Sequence, residues 1–356
     1  MKNTNFIISA GLDSEDTDDR AEAGSDVELR KLVFGEEQHG LRLDRALVEM
    51  VSEFSRSYLQ QLIELGGVTV NKIVVSKASV RVKAGDTGVI ELRPTPQSQA
   101  FKPELMNLNI HYEDEHLMVI DKPAGLVVHP APGNWSGTLL NGLLAHDAGV
   151  VNLPRAGIVH RLDKETSGLM VVARTRPTMD ALIKAIAARE VGRQYVAIAH
   201  KPWQGSRHRQ VNAAVGRDPR NRLRMAAVDL EKFPGKSART DIELLQNSEL
   251  GCLVCCTLHT GRTHQIRVHM TSIGHPLLAD LTYGGSVSEF IQRQALHACR
   301  LTFVHPITGQ QMIFSSVLPN DMKAALAHWS LSYNQGEVIK SQNNVLAKDY
   351  QFGQPD

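Results

Sequence analysis

The feature that most constrains the fold of this chain is the string PTPQSQAFKP at residues 94–103. Proline lacks a backbone N–H and restricts the residue before it, so a string with three prolines neither continues a helix nor pairs inside a sheet. The apolar patterns on its two sides must therefore bury separate cores. We expect a linker over residues 94–103 that permits movement between two domains, with the boundary near residue 100.

Composition is that of an ordinary soluble protein. The chain has 356 residues, of which 42% are apolar and 22% are charged. This length suits one large domain or two ordinary ones, and the composition excludes a wholly disordered chain or a disulfide-stapled mini-protein. Because no apolar run approaches the roughly 18–20 residues that span a bilayer, a membrane protein is also excluded.

The N-terminal residues and the cysteines indicate where the protein works. The first apolar stretch is short and acidic residues follow it, which is not typical of a secretory signal. Four cysteines in a chain of this size suggest a reducing compartment. We therefore expect a cytoplasmic monomer that does not bind membranes.

Charge is distributed unevenly along the chain. Residues 1–30 hold eight acidic and three basic residues, which leaves 36 basic and 30 acidic residues for the rest. We expect residues 1–35 to be a disordered acidic tail, and residues 334–356, rich in Asn, Gln, Ser and Lys, to be a second disordered tail. The folded part is basic, which favours a polyanionic partner.

Residues 41–93 have the pattern of a small module with helices before strands. Leu43 and Leu47 begin a helical spacing, and Ser55 is placed to cap a second helix with Leu59 and Ile63 on its apolar face. Short strands are predicted at 68–70, 73–75 and 89–92, the first two around a turn at residues 71–72.

The strings LRLDRAL, SRSYLQQLIELGGVTVNKIVV and VKAGDTGVIEL resemble the small RNA-binding module of ribosomal small-subunit protein four and of several RNA-modifying enzymes. In that family a basic helical face and the turn hold the RNA backbone. The resemblance implies this role for Arg42, Arg45, Arg56, Ser57 and Lys72. A solvated basic helix surface is the alternative interpretation of the same charges.

Residues 104–328 are rich in predicted strands. Apolar runs indicate strands at 117–120, 195–199 and 253–258, a helix beginning with proline is predicted at 177–190, and 266–270 is a strand or strand–helix segment. Neither an internal repeat nor regular β-α-β alternation is found. We therefore expect an α+β fold, with a large mixed, mostly antiparallel sheet, flanking helices and the small N-terminal α/β module.

Motifs for metals and nucleotides are incomplete. Leu230 stands where a phosphate loop ending in Gly-Lys-Ser needs its first glycine. Cys252 and Cys255 have no second cysteine pair at zinc spacing, and His264 and His269 are not at an established metal spacing. We expect no metal, no cofactor and buried structural thiols.

Two polar strings stand out. Residues 157–169 place Asp163 among His160, Arg161 and Lys164, and a carboxylate near cations stays ionised at neutral pH. Residues 260–269, TGRTHQIRVH, are dense in side chains that contact phosphates and bases. Taken alone, the first string is equally compatible with a salt-bridged loop and the second with a solvated strand edge.

Together, HRLDKETSGLMVVA and LHTGRTHQIRVHMTSIGHPLLADLTYGG resemble the two active-site motifs of the RluA/RluD-type pseudouridine synthases, which modify ribosomal and transfer RNA. DKPAGLVVHP, GRQYVAIAH and LHACRLTFVHPITG match in the expected order, so the resemblance spans about residues 40–325. With its N-terminal module, the chain is most similar to the branch that acts on large-subunit ribosomal RNA. Glu165 replaces the usual aspartate, and Ala279-Asp280-Leu281 replaces Gly-Asp-Pro, which puts local turn geometry in doubt.

The resemblance implies an isomerase that converts uridines of large-subunit ribosomal RNA to pseudouridine. The same resemblance implies that residues 104–328 are the catalytic domain. Asp163 matches the catalytic carboxylate, acting either as nucleophile at the first sugar carbon or as base at the second. Arg267 matches the residue that pairs with it. Tyr195 matches the aromatic that stacks on the target base, with Ile266 packed beside it.

Further positions are assigned to RNA binding. Arg161 matches the residue that enters the RNA in place of the flipped base, with a phosphate contact as the alternative; Arg262 and His264 belong to the second polar string. Two other functions stay open: a synthase for transfer RNA, and a ribosome-associated RNA-binding protein without catalysis. The latter would not need Asp163, Arg267 and Tyr195 together.

Overall fold

The structure is a computed structural model that describes residues 28–51, 56–92, 100–131 and 133–334. The chain divides into two compact units, residues 1–95 and residues 96–356, here called unit 1 and unit 2. Most of the disordered tails expected at 1–35 and 334–356 lies outside the described residues, as do Ser55 and the side chain of Ser57.

Unit 1 packs two helices against a four-stranded sheet. Its elements are β1 (Glu28–Val33), α1 (Leu43–Met50), α2 (Arg56–Glu64), β2 (Val68–Val70), β3 (Ile73–Val74) and β4 (Thr87–Leu92). The antiparallel strands follow the order β1-β4-β2-β3. The helical spacing read from the sequence buries Leu43, Leu47, Leu59 and Ile63 completely.

The expected tail over residues 1–35 is wrong for its last part, because residues 28–33 form β1 and pair with β4. Leu32 and Phe34 are 8% and 1% exposed and belong to the core of unit 1. Side chains two residues apart lie on the same face of an extended chain, so this pair is a short strand signal. The acidic residues before it concealed that signal.

Unit 2 is built on a nine-stranded sheet of described residues. Its strands are β5 (Ile110–Glu113), β6 (Leu117–Lys122), β7 (Ser167–Ala173), β8 (Gly192–His200), β9 (His208–Asn212), β10 (Ala214–Arg217), β11 (Met225–Val228), β12 (Gly235–Lys236), β13 (Arg239–Asn247), β14 (Gly251–Leu258), β15 (Leu296–Val304) and β16 (Gln311–Ser315). The large sheet has the order β5-β6-β7-β15-β8-β14-β13-β9 with β16 on β15, and β11-β10-β12 form a small sheet. Only the β7–β15 pair is parallel among the described pairs, which confirms the expected mixed, mostly antiparallel α+β fold.

Helices flank this sheet. They are α3 (Leu139–His146), α4 (Arg176–Ala188), α5 (Gln265–Ser272) and α6 (Asn320–His328), so the ambiguous segment at 266–270 is helical. Alternate residues of β8 enter different cores: Tyr195 and Ala197 join the larger one, whereas Val196 and Ile198 join the one that includes α6. The strand pleat thereby directs Tyr195 to the side opposite α6.

Residues 100–103 do not behave as the linker expected over 94–103. The Asn141 side chain donates to the Lys102 carbonyl oxygen at 2.8 Å, its backbone carbonyl accepts from Glu104 N at 3.0 Å, and Ala100 is buried. This segment is therefore held on unit 2 by α3, a contact with no local signal; residues 93–99 lie outside the described residues. No helix in the described ranges is both long and apolar enough to cross a membrane.

Candidate active site

Asp163 lies in a turn directly before β7, and a buried lysine supports this turn. Lys122, at the end of β6, donates from Nζ to the carbonyl oxygens of Pro123, Leu126 and Lys164 at 2.8, 2.9 and 3.0 Å. Burial lowers the pKa of Lys122 to about 7. Three acceptors match the three N–H groups of an ammonium, so this lysine fixes the catalytic turn to the end of β6.

Arg293 holds the other side of the turn. Its Nη1 donates to the Glu165 carbonyl oxygen at 3.0 Å, while Nε and Nη2 donate to the Asp321 carboxylate at 2.7 and 3.0 Å. Gln294 donates to Thr166 Oγ1 at 3.2 Å. Since Asp321 belongs to α6, this network joins the last helix of unit 2 to the turn that carries Asp163.

A glycine allows the strand after the turn to approach its parallel neighbour. Gly168 has φ +115°, and a Cβ atom there would lie 2.3 Å from the Ala298 carbonyl oxygen. A larger residue at this position would push β7 away from β15. His160, before the turn, accepts from Val171 N at 3.0 Å, and burial lowers its pKa to about 3, which makes it a neutral structural residue.

Arg267 of α5 joins two carboxylates. Its Nε and Nη2 donate to Asp280 at 2.7 and 2.8 Å, and its Nη1 donates to Asp163 Oδ2 at 3.4 Å. Burial would lower the pKa of Arg267, but the hydrogen bonds and charge of Asp280, together with Asp163, raise it. The guanidinium is therefore a permanent cation beside Asp163.

Tyr283 and His264 complete the surroundings of Asp163. The Arg267 guanidinium lies 4.8 Å from the centre of the Tyr283 ring, and the Tyr283 hydroxyl accepts from Met225 N at 3.0 Å. That hydroxyl also forms a hydrogen bond with His264 Nδ1 at 2.8 Å. His264 Nε2 is 3.9 Å from Asp163 Oδ1, and burial lowers the pKa of His264.

A cavity of about 910 Å³ opens at this carboxylate. Asp163 is the single acidic residue among the described residues that line it, and Tyr195 and Ile266 form buried parts of its wall. Burial raises the pKa of Tyr195 to about 12, so its ring is neutral at pH 7. The structure thus brings together four residues from three separate segments: Asp163 from the turn before β7, Tyr195 from β8, and Ile266 and Arg267 from α5.

The rest of the lining is strongly basic. Besides Arg267, five arginines contribute to it: Arg155, Arg161, Arg189, Arg193 and Arg262. Arg161 is exposed beside Asp163, while Arg262 donates to the Ser237 carbonyl oxygen at 3.2 Å. A cavity with one carboxylate and several arginines favours a polyanionic substrate.

Two of the basic residues assigned to RNA binding in unit 1 form ion pairs with a buried aspartate. Asp44 is fully buried and accepts from Arg42 at 3.1 Å and from Arg56 at 2.8 Å, while Arg45 and Lys72 are exposed. The two paired guanidinium groups remain about half exposed, at 46% and 56%. Asp44 therefore fixes a basic surface on unit 1; the sequence had suggested the cations but not their anchor.

The described residues contain no group of three His, Cys, Asp or Glu side chains arranged to hold a metal ion. The four cysteines are free and buried, and burial raises the pKa of Cys252 and Cys299 to about 12. Such thiols are protonated and unreactive at neutral pH.

The sequence analysis did not identify four residues that support the site: Lys122, Asp280, Tyr283 and Arg293. Asp280 stood inside a quoted motif, but only the turn geometry there was questioned. Ala279, where the family has glycine, is indeed left-handed with φ 58°. The backbone at Ala279 is therefore unusual. The next residue, Asp280, binds Arg267, so this turn positions the carboxylate that holds the guanidinium.

The fold therefore presents a cavity whose described lining holds one carboxylate and six arginines. Residues 116–272 match the sequence profile of the RNA pseudouridylate synthases, and residues 41–87 match the S4 domain. Over 335 residues the chain is 44% identical to ribosomal large subunit pseudouridine synthase D of Neisseria meningitidis serogroup B, covering 90% of this chain and 87% of that protein. The chain belongs to the RNA pseudouridylate synthase family, whose members are isomerases.

Other relatives agree with this assignment. Ribosomal large subunit pseudouridine synthase D of Nitrosomonas europaea is 44% identical over 295 residues, which cover 81% of this chain and 84% of that protein. The solved structure of human RNA pseudouridylate synthase domain containing 1 shares the fold, with a TM-score of 0.53 and 24% identity over 70% of this chain and 96% of the other.

Proposed function

We propose that this protein isomerises specific uridines of large-subunit ribosomal RNA to pseudouridine, with Asp163 as the catalytic carboxylate. The names of its relatives and the match to the S4 domain support ribosomal RNA as the substrate. The observation that carries the proposal is the cavity with a single acidic residue, Asp163, held against Arg267 beside Tyr195.

The reaction needs few catalytic groups. The bond from the sugar to the base nitrogen breaks, the uracil turns, and its carbon 5 joins the sugar while a proton leaves that carbon and the nitrogen becomes protonated. No net redox change or phosphoryl transfer occurs. One carboxylate near the sugar suffices, as nucleophile at the first carbon or as base at the second. Arg267 orients Asp163 through either route.

The target uridine must leave its stack before it reaches Asp163, at a cost of a few kcal/mol. Stacking on an aromatic ring returns about 1–3 kcal/mol per base, and Tyr195 with Ile266 offers that surface in the cavity wall. We propose that Arg161 fills the gap left in the RNA and that Arg262 and His264, which line the same cavity, contact the flipped nucleotide. The neutral Tyr195 ring serves as a stacking surface rather than as an acid.

Unit 1 is proposed to hold the RNA backbone through the cations around Asp44, with Arg45, Ser57 and Lys72. Removal of residues 1–93 should leave a folded catalytic unit whose affinity for RNA is lower and less dependent on salt, because phosphate contacts are lost. Unchanged affinity and salt slope would assign the module to another partner. We also propose a cytoplasmic monomer, in agreement with its free buried thiols.

The decisive experiment maps pseudouridines in ribosomal and transfer RNA from cells with and without the gene. Loss of specific pseudouridines from large-subunit ribosomal RNA is expected, with restoration by the wild-type gene and not by D163N. If only transfer RNA changes, the proposed substrate is wrong. If neither RNA changes although the protein binds ribosomes, the alternative of an RNA-binding factor without catalysis gains support.

A further inference from the structure

We infer that the active-site cavity contains a second base-binding subsite, in which Phe101, His129 and Trp135 stack on a nucleobase that neighbours the target uridine. The inference rests on the proposed RNA substrate and specifies how that RNA is read. All three side chains line the same cavity as Asp163. None of them is needed for the chemistry at the flipped uridine, which Tyr195 and Asp163 serve.

The two segments that carry Phe101 and Trp135 are joined by hydrogen bonds. Gly137 N donates to Glu104 Oε2 at 2.9 Å, and the Asn141 side chain donates to the Lys102 carbonyl oxygen at 2.8 Å. Directly before Trp135, Ala131 and Asn134 exchange backbone hydrogen bonds at 2.9 and 2.8 Å. These hydrogen bonds constrain the backbone next to both aromatic residues.

The rings themselves remain available. Phe101 is 69% exposed although Ala100 beside it is only 5% exposed. Within the described ranges, neither Phe101 nor Trp135 contacts another aromatic ring or forms a side-chain hydrogen bond. Single exposed apolar residues are common on proteins, but a phenylalanine held at the wall of a basic cavity has a surface suited to a ligand with a flat apolar face.

His129 adds a third ring to this wall. Burial, with the charges of Arg155 and Arg161, lowers the pKa of His129 to about 4, so the imidazole is neutral at pH 7. Arg155, which also lines the cavity, has left-handed backbone with φ 55°. Aromatic rings beside arginines are the combination that binds single-stranded RNA, because rings stack on bases and guanidinium groups contact phosphates.

The ligand is identified as a nucleobase by this combination. A lipid or an apolar peptide would not require the arginines, and a free phosphate would not require the rings. A flanking nucleotide of the same RNA satisfies both, because the backbone that delivers the uridine to Asp163 continues through the cavity. The subsite would therefore hold the base next to the target.

The test is a coupling experiment between protein and RNA variants. Fragments of large-subunit ribosomal RNA that the wild-type protein modifies are prepared intact and as a set of variants. Each variant has one abasic residue, at one of the two positions before or the two positions after the target uridine. F101A and W135A should bind the intact RNA about 5- to 100-fold more weakly than wild type. When the RNA is abasic at the contacted position, the variants and the wild-type protein should bind that RNA with equal affinity.

Controls separate stacking from folding and from surface effects. L105A removes an apolar side chain that is 95% exposed and does not line the cavity, and it should bind every RNA as wild type does. F101Y and W135F keep a ring and should retain affinity within about twofold. Thermal unfolding checks that each variant is folded.

Two results would overturn the inference: F101A and W135A that bind intact RNA as wild type does, or losses of equal size on every abasic RNA. The proposed function is judged separately, from whether wild-type protein forms pseudouridine in the intact ribosomal fragments. If it modifies only transfer RNA fragments, the same coupling is measured on those, so the subsite is decided in either case.

Discussion

Asp163 and Asp280 both contact Arg267, yet replacing each with asparagine should have different effects. The change at Asp280 should reduce stability, and the change at Asp163 should remove activity. Asp280 binds the guanidinium with two hydrogen bonds of 2.7 and 2.8 Å, and its side chain is 1% exposed. Asp163 contacts the guanidinium once, at 3.4 Å, and is 18% exposed. We therefore expect Asp280 to stabilise the buried cation and Asp163 to be available for chemistry.

The magnitudes follow from this geometry. D280N leaves a buried guanidinium without its main partner, and breaking a buried pair in this way costs about 3–5 kcal/mol. D163N removes a longer contact to a carboxylate near solvent, and Arg267 keeps Asp280, so the free energy of unfolding should fall by less than about 1 kcal/mol. D163N should nevertheless abolish pseudouridine formation, because asparagine is neither a carboxylate nucleophile nor a base.

Two assays check these expectations. The three tryptophans, Trp135, Trp203 and Trp329, all lie in unit 2, so fluorescence during urea unfolding reports on the unit that contains the site. Release of tritium from RNA labelled at the uracil 5-position measures activity beside a binding assay. A D163N protein as destabilised as D280N would refute the assignment of Arg267 to Asp280. A folded D163N protein with activity within tenfold of wild type would remove Asp163 from catalysis.

Three further substitutions test the supports. K122M leaves the carbonyl oxygens of Pro123 and Leu126 without this donor, while that of Lys164 keeps the N–H of Gly125, so unit 2 should lose about 2 kcal/mol or more by urea unfolding, and kcat should fall more than KM rises. A279G removes a left-handed alanine and should raise the unfolding free energy by about 0.5–1 kcal/mol, seen as a higher urea midpoint. Burial would raise the pKa of Asp44, but hydrogen bonds from Arg42, Arg56 and Gln60 hold it well below its usual range. The contribution of Asp44 to the free energy of unfolding is therefore complete above about pH 3.9 and is lost as the pH falls. D44N should therefore weaken hydrogen-exchange protection of α1 and α2 at pH 7, with a difference from wild type that narrows below pH ~4; equal protection at pH 7 would contradict this role.

The fold could be predicted where local periodicity decides it. Continuous apolar runs marked β6 and β14, and helical spacing marked α1 and α2, because each of these elements buries a face that its own sequence supplies. The strand β1 and the attachment of residues 100–103 could not be predicted. Both depend on partners far along the chain, β4 in one case and Asn141 in the other.

The site could be predicted by resemblance but not by physical reasoning from spacing alone. The Arg267–Asp163 contact joins residues 104 positions apart, and the Arg293–Glu165 contact joins residues 128 positions apart. Of the residues proposed to contact the substrate, Asp163, Arg262 and His264 belong to recognisable polar strings. Lys122 and Arg293 donate to backbone carbonyl oxygens. Because every residue has a carbonyl oxygen, the sequence of the supported turn does not reveal these contacts.

The same distinction changes what the basic composition means. Several cations counted as attraction for RNA are engaged inside the fold: Arg174 binds Asp147, Arg224 binds Asp218, and Arg293 binds Asp321. Arg161, in contrast, is exposed at the cavity and pairs with no carboxylate in the described part of the chain. The net charge therefore overstates the positive surface offered to RNA, and position within the fold decides the role of each cation. Loss of an engaged cation reduces stability, whereas loss of one at the cavity reduces affinity for RNA and its dependence on salt.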